Sequence, residues 1–140
     1  MSAAEILLVE DDDAHAELIE RSLERITTAV RLSRARDGEE AIERLEAAAD
    51  EPGTLPRLVL LDLRLPKLGG RQVLEHLKAH PVLRRVPVVV LTTSNAPDDL
   101  RAAYDRHANG YLVKPPELAR LSSLLQDVAH YWGELNHVAS

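Results

Sequence analysis

Leu58-Val59-Leu60-Leu61-Asp62-Leu63-Arg64-Leu65-Pro66 decides the architecture. Four apolar residues in a row, with no polar alternation, describe a strand covered on both faces, and such strands belong to parallel sheets. Ile6-Leu7-Leu8-Val9 and Val88-Val89-Val90-Leu91 repeat the pattern on either side. Val30 to Ala35 and Tyr111 to Val113 add two further runs, so five strands are predicted. Helical spacing fills the intervals: Leu18, Ile19, Leu23 and Ile26; then Ala41, Ile42, Leu45, Ala48 and Ala49; then Val73, Leu74 and Leu77; then Leu100, Ala103 and Tyr104. Asp37, three residues before Glu40, and the pair Pro97-Asp98 mark the starts of the second and fourth helices. A fifth helix is predicted from about Glu117, with Leu118, Leu121, Leu125, Val128, Trp132 and Leu135 along one stripe. Strict alternation of strand and helix builds a parallel sheet with right-handed crossovers and helices on both faces, the α/β class.

Composition agrees with a single domain over residues 1–140: 45% of the chain is apolar and 29% charged. The turn-rich stretch Asp50 to Arg57 is a connection into the central strand, because the same alternation continues after it. The absence of Cys excludes a disulfide framework, a thiolate zinc site, an iron–sulfur cluster and a cysteine nucleophile. Met1 to Glu5 lacks the basic and apolar regions of a signal peptide, and no apolar run approaches the ~20 residues that span a bilayer. A cytoplasmic protein with no membrane association is the expectation. With 23 Asp and Glu against 17 Lys and Arg, the net charge of −6 repels phosphate backbones. The best candidate for a basic patch, Arg71, Lys78, Arg84 and Arg85, is interleaved with Glu75, His76 and His80 and has no aromatic platform, so it reads as a solvated helix face and no nucleic-acid partner is expected. His76 and His80 have the four-residue spacing of a metal pair but lack a third ligand in sequence, which makes them surface residues.

Chemistry in an open parallel sheet collects beyond the carboxyl ends of the strands. Glu10, Asp11, Asp12 and Asp13 follow the first run, Asp62 the third, Thr92, Thr93 and Ser94 the fourth, and Lys114 the fifth. Carboxylates that close together raise one another's pKa or require a cation, and a hard divalent ion with oxygen ligands, Mg2+, resolves the repulsion. Phosphate completes such a ligand set. Lys114 and the Thr92 hydroxyl are placed to hold phosphoryl oxygens, and Asp62 becomes a candidate nucleophile that would form an aspartyl phosphate. Asp12 and Asp13 stay outside the site, one capping the first helix and the other exposed.

These segments, with Gly70 and Gly110-Tyr111-Leu112-Val113-Lys114-Pro115, resemble response-regulator receiver domains of two-component signalling over about residues 5 to 132. The resemblance implies a flavodoxin-like, doubly wound (βα)5 three-layer sandwich with strand order 2-1-3-4-5. It implies that Asp62 is the phosphoacceptor, that Asp11, Asp62 and the backbone carbonyl of Arg64 ligate Mg2+ directly, and that Glu10 acts through water. Mn2+ or Ca2+ would substitute in vitro. It further implies Thr92 and Tyr111 as a switch pair, Lys114 as the essential amine, a cis Lys114–Pro115 bond, and Arg64 and Ser94 as residues that flank the phosphate. Pro116 departs from the aromatic residue common at that position, which touches how partners dock. The family's partners are a sensor histidine kinase and a downstream protein that reads the altered face of the fourth helix, fifth strand and fifth helix. The motif Asp62-Leu-Arg-Leu-Pro66, the loop from Asp50 to Arg57 and the prolonged last helix make the chain more similar to the small receivers of bacterial phytochrome kinases than to the chemotaxis receiver.

A second stripe on the fifth helix, Leu124 and Tyr131, gives it more apolar perimeter than one sheet contact needs. The surface formed by Leu124, Val128, Tyr131, Trp132 and Leu135, on an extension over about 128–140, predicts a homodimer, the alternative being a longer helix packed on its own domain. Two competing classes are an unphosphorylated pseudo-receiver, which normally lacks an acidic or lysine position that this chain retains, and an Asp-x-Asp phosphatase, whose second Asp is replaced by Arg64.

Overall fold

The protein is described by a computed structural model over residues 4–26 and 30–139. The expectation for the first residues therefore falls, for 1–3, outside the described residues, as does the side chain of Ile26. The elements run β1 (Ala4–Val9), α1 (Asp13–Ile26), β2 (Val30–Ala35), α2 (Gly38–Ala49), β3 (Leu58–Leu61), α3 (Gly70–Ala79), β4 (Val88–Thr92), α4 (Pro97–Asp105), β5 (Gly110–Val113) and α5 (Leu118–His130). All four strand pairings are parallel and the sheet order is β2-β1-β3-β4-β5. The fold is the flavodoxin-like (βα)5 arrangement that the resemblance implies.

Period-two alternation along each central strand divides the core into two layers. Ile6, Leu8, Leu58, Leu60, Val89 and Leu91 pack against Ile19 and Leu23 of α1 and Leu121 and Leu125 of α5. Their neighbours Leu7, Val9, Val59, Leu61 and Val88 meet Ala41 and Leu45 of α2 and Val73, Leu74 and Leu77 of α3. β3 is buried along its whole length, as a continuous apolar run requires. β2 and β5 lie at the edges and are only partly covered.

Caps hold the helices where the sheet needs them. Asp12 Oδ1 accepts the backbone N–H groups of Ala14 (2.9 Å) and His15 (3.1 Å), while Asp13 is exposed. Asp37 Oδ1 accepts from Glu40 N at 2.8 Å, and Glu40 Oε2 accepts from Arg36 N at 2.6 Å. Pro97 takes the first position of α4, where its missing N–H costs nothing. His80 Nδ1 accepts from Val82 N and Leu83 N, so this histidine serves the turn after α3, and His76 faces Glu46 at 2.8 Å.

Gly70, the first residue of α3, lies so close to the end of β3 that an added Cβ would sit 2.4 Å from Asp62 O and 2.6 Å from Leu63 Cα. Only glycine lets the helix start there without moving the backbone that carries Asp62. Gly70→Ala is expected to cost about 1–3 kcal/mol, read as a lower urea midpoint by far-UV circular dichroism. An unchanged midpoint would show that the loop relaxes freely.

Several expectations need correction. Every peptide bond among the described residues is trans, the Lys114–Pro115 bond included. The long lysine side chain still reaches the acidic residues (see below), so aiming the ammonium inward needs no cis bond. Leu18, expected on the core face of α1, is exposed, because α1 rolls Ile19 and Leu23 toward the sheet instead. Val128 is 5% exposed and belongs to the chain's own core, so it is unavailable to a second copy. Leu124 and Trp132 are half-buried against the same core, leaving Tyr131 and Leu135 as the exposed members of that set. The helical extension ends at Leu135, as a π-helical turn over Tyr131–Leu135, and residues 136–139 are not helical. Gly133 makes this turn fit: a Cβ there would stand 2.8 Å from Val30 Cγ2, and Arg57 donates to its carbonyl at 3.1 Å.

Candidate functional site

Two neighbouring strands in register, β1 and β3, bring the acidic residues together. Asp62 N donates to Val9 O at 3.2 Å, so the residue after β3 sits beside the residues after β1. Ligand oxygens of Glu10, Asp11 and Asp62 all lie within 4.8 Å of one another. Asp11 is exposed, Asp62 has a side chain 13% exposed, and Glu10 is 1% exposed. From the far side of β4, where Lys114 N continues the ladder by donating to Thr92 O at 2.7 Å, the Lys114 ammonium reaches Glu10 Oε1 at 2.7 Å and Asp62 Oδ2 at 3.2 Å. Asp62 Oδ1 accepts the Arg64 backbone N–H at 3.0 Å, which places that residue's backbone next to the carboxylate.

Charge and burial set the titration of the group. Burial, and then the neighbouring Asp62 carboxylate, push Glu10 up to about 7, against the opposing pull of Lys114. Burial also works against the Asp62 carboxylate, but hydrogen bonds from Glu10, Arg64 N–H and Lys114 together with the lysine charge hold it below the usual range. The ammonium of Lys114 is disfavoured by burial, yet Glu10 and Asp62 outweigh that and raise its pKa. Lys114 and Asp62 are thus charged at neutral pH, and Glu10, deepest of the three, carries the penalty of the crowding. Glu10 Oε2 is buried and meets no hydrogen-bond donor among the described residues. An orphaned buried oxygen next to two more carboxylates is a donor set of hard oxygens, which fits Mg2+, Mn2+ or Ca2+ rather than a soft metal.

The remaining expected site residues lie on β4, on β5 and in the loop after β4. Thr92 ends β4 fully buried, its Oγ1 accepting from Ser94 N at 3.4 Å. The Tyr111 hydroxyl donates to Ser94 O at 2.8 Å, so both residues of the expected switch pair meet at Ser94. Ser94 Oγ donates to Asp99 Oδ2, and Arg71 holds the other oxygen of Asp99 at 2.5 Å, extending the connection to α3. Lys78 is likewise engaged, with its ammonium on Arg84 O, Val86 O and Asn109 Oδ1 at 3.0–3.3 Å. Two residues escaped the sequence reading. His15 Nδ1 lies 3.2 Å from Glu10 Oε1, and Arg34 grips the Glu10 carbonyl with Nε and Nη2 at 3.0 and 2.9 Å. A charged residue one position before the end of β2 is the only hint the sequence offers for the second. For the first, the hint is its place one turn into α1.

A parallel sheet of this order with a lysine closing an acidic cluster at its carboxyl edge defines a receiver, and the chain belongs to the response regulator receiver domain family, which matches residues 6–126. Among curated relatives it is 48% identical over 127 residues to the probable methanogenesis regulatory protein FilR2 of Methanothrix harundinacea, covering 91% of this chain and 82% of that one. It is 43% identical over 130 residues to the response regulator Rcp1 of Synechocystis sp., covering 92% and 88%. The Mn2+-bound form of Rcp1 superposes with a TM-score of 0.86 over 98% of this chain and 99% of that one. The phosphorylated cyanobacterial phytochrome response regulator RcpA is similar at a TM-score of 0.90 and 37% identity, with 99% and 100% of the two chains covered. The chain is therefore a receiver-domain response regulator related to the phytochrome response regulators. No helix among the described residues is long and apolar enough to cross a membrane.

Proposed function

We propose that this chain is a two-component response regulator of the cytoplasm that accepts a phosphoryl group on Asp62 from the phosphohistidine of a sensor histidine kinase. The observation that carries the reading is the meeting of Lys114 with Asp62 and Glu10 at the rim of the sheet. An Asp62 carboxylate oxygen attacks phosphorus, the bond from phosphorus to the donor nitrogen breaks, and the electron pair leaves with the imidazole. A divalent ion held by Asp11, Asp62, the Arg64 carbonyl and, through water, Glu10 would supply charge neutralisation for the phosphoryl oxygens. Lys114 offsets the same charge from the opposite side and, already bound to Asp62 Oδ2, needs little reorganisation to do so. Thr92 would then turn its hydroxyl toward the new phosphate, and because Thr92 and Tyr111 are both bonded to Ser94, the movement passes to α4, β5 and α5. A downstream protein would read that face.

RcpA and Rcp1 support the reading, the first as a phosphorylated phytochrome response regulator and the second as a Mn2+-bound receiver of nearly the same length. A bacterial phytochrome kinase is the donor class we infer. Acetyl phosphate with Mg2+ is expected to add one acid-stable, hydroxylamine-labile phosphate to the protein and none to Asp62→Asn. Absence of label on the unaltered protein, with acetyl phosphate and with a kinase alike, would leave a phosphorylation-independent pseudo-receiver as the correct description. The exposed Tyr131 and Leu135 support a homodimer, which light scattering across micromolar concentrations checks; a monomer throughout removes it.

A further inference from the structure

Glu10 and Asp11 share one peptide group, and the orientation of that group sets where both side chains leave the backbone. The protein anchors the main chain on both sides of the Glu10 Cα, and only the second anchor is on that peptide. Glu10 N donates to Ala35 O at 3.1 Å, the ordinary continuation of the β1–β2 ladder. The carbonyl of Glu10 lies past the last residue of β1, beyond the ladder. There the guanidinium of Arg34 closes on it with two hydrogens, Nε at 3.0 Å and Nη2 at 2.9 Å. The third nitrogen, Nη1, bonds Asp13 Oδ1 at 2.8 Å, at the first residue of α1. The Arg34 side chain is 14% exposed, so the fork is largely withdrawn from water, while its Asp13 partner stands in solvent at 82% exposure. The Arg34 carbonyl in turn accepts from Arg44 of α2, tying the clamp to the layer behind it.

We infer that Arg34 is a positioning residue for divalent-cation binding: its fork on the Glu10 carbonyl holds the Glu10–Asp11 peptide in the orientation that turns both carboxylates toward Asp62. A planar guanidinium suits this task because two donors of a rigid fork converging on one oxygen fix a direction, whereas an ammonium supplies only a point of charge. Geometry and charge act in opposite senses here. The positive charge of Arg34 repels an arriving cation, so a purely electrostatic role predicts tighter ion binding when the charge is removed. A positioning role predicts weaker binding when the fork is lost, whether or not the charge remains. Groups that orient metal ligands without touching the metal commonly change affinity by about 10–100-fold.

The inference rests on the proposed cation site, and the experiment separates the two. Mn2+ and Mg2+ affinities are measured by titration calorimetry on the intact chain, with Mn2+ binding followed in parallel by electron paramagnetic resonance, for the unaltered protein, Arg34→Lys, Arg34→Gln and Asp13→Asn. Binding by the unaltered protein with a loss of about 10-fold in both Arg34 variants and none in Asp13→Asn is the expected result. Equal affinity in Arg34→Lys, or a gain in Arg34→Gln, overturns the positioning role while leaving the cation site standing. No binding by the unaltered protein overturns the site itself and the inference with it. A merely structural arginine would lower the urea midpoint without moving the ion affinity of the folded fraction, so that pattern counts against the inference as well.

Discussion

Lys114→Met is expected to destabilise the cation-free protein by about 3–5 kcal/mol at pH 8, the usual cost of stripping one partner from a buried ion pair. The ammonium is the only side-chain cation bonded to both Glu10 and Asp62 among the described residues, at 2.7 and 3.2 Å, and its own side chain is 8% exposed. Methionine keeps the length of the stem and its packing, so the loss reports the charge. Urea denaturation in the presence of a chelator measures it, and saturating Mg2+ should restore part of the loss, because the ion supplies the countercharge in another way. A variant as stable as the parent would mean that Glu10 takes up a proton and Asp62 finds water at no cost, contrary to the burial of both.

Glu10→Gln should act in the opposite direction. With its pKa raised from 4.5 to about 7, the folded protein holds a proton on Glu10 more tightly than the unfolded chain does. That contribution to stability is complete below pH 4.5 and disappears as pH rises through about 7. Above this window the ionised, buried carboxylate is a burden of about 3 kcal/mol, from which the amide is exempt. Because glutamine also gives up the contact with Lys114, a net gain of about 1–3 kcal/mol at pH 8 is expected, and little or none at pH 5. The same substitution should diminish the rise in melting temperature that Mg2+ brings. If Glu10→Gln proves equally stabilising at both pH values, the effect is packing and not ionisation.

Much of this was legible in the chain, for physical reasons that differ between elements. The central strands β1, β3 and β4 announce themselves because burial on both faces leaves no room for a polar residue. Where they stop, the first polar side chain must lie at the rim, so Glu10, Asp11, Asp62 and Thr92 could be placed in one neighbourhood without coordinates. Lys114 followed from the fifth run by the same rule. What escaped depends on the third dimension alone. Whether Val128 faces its own core or a second copy is a matter of helix rotation by a fraction of a turn, and the stripe of Leu125, Val128 and Trp132 is compatible with either. Leu18 is the converse case, an apolar residue adjoining the core face of α1 that the rotation leaves outside. The isomer at Pro115 is set by the loop into α5 and by the reach of a four-carbon stem, neither of which a dipeptide encodes. Arg34 was invisible because its partner is a carbonyl, and main-chain acceptors carry no letter in a sequence.

The strand order has a consequence for how the molecule assembles. Neighbours β1 and β3 bring the three carboxylates face to face, but the compensating lysine arrives from β5, on the outer flank of β4 and 52 positions later than Asp62. A sheet that zipped its middle first would hold those carboxylates without their ammonium until the last strand docked.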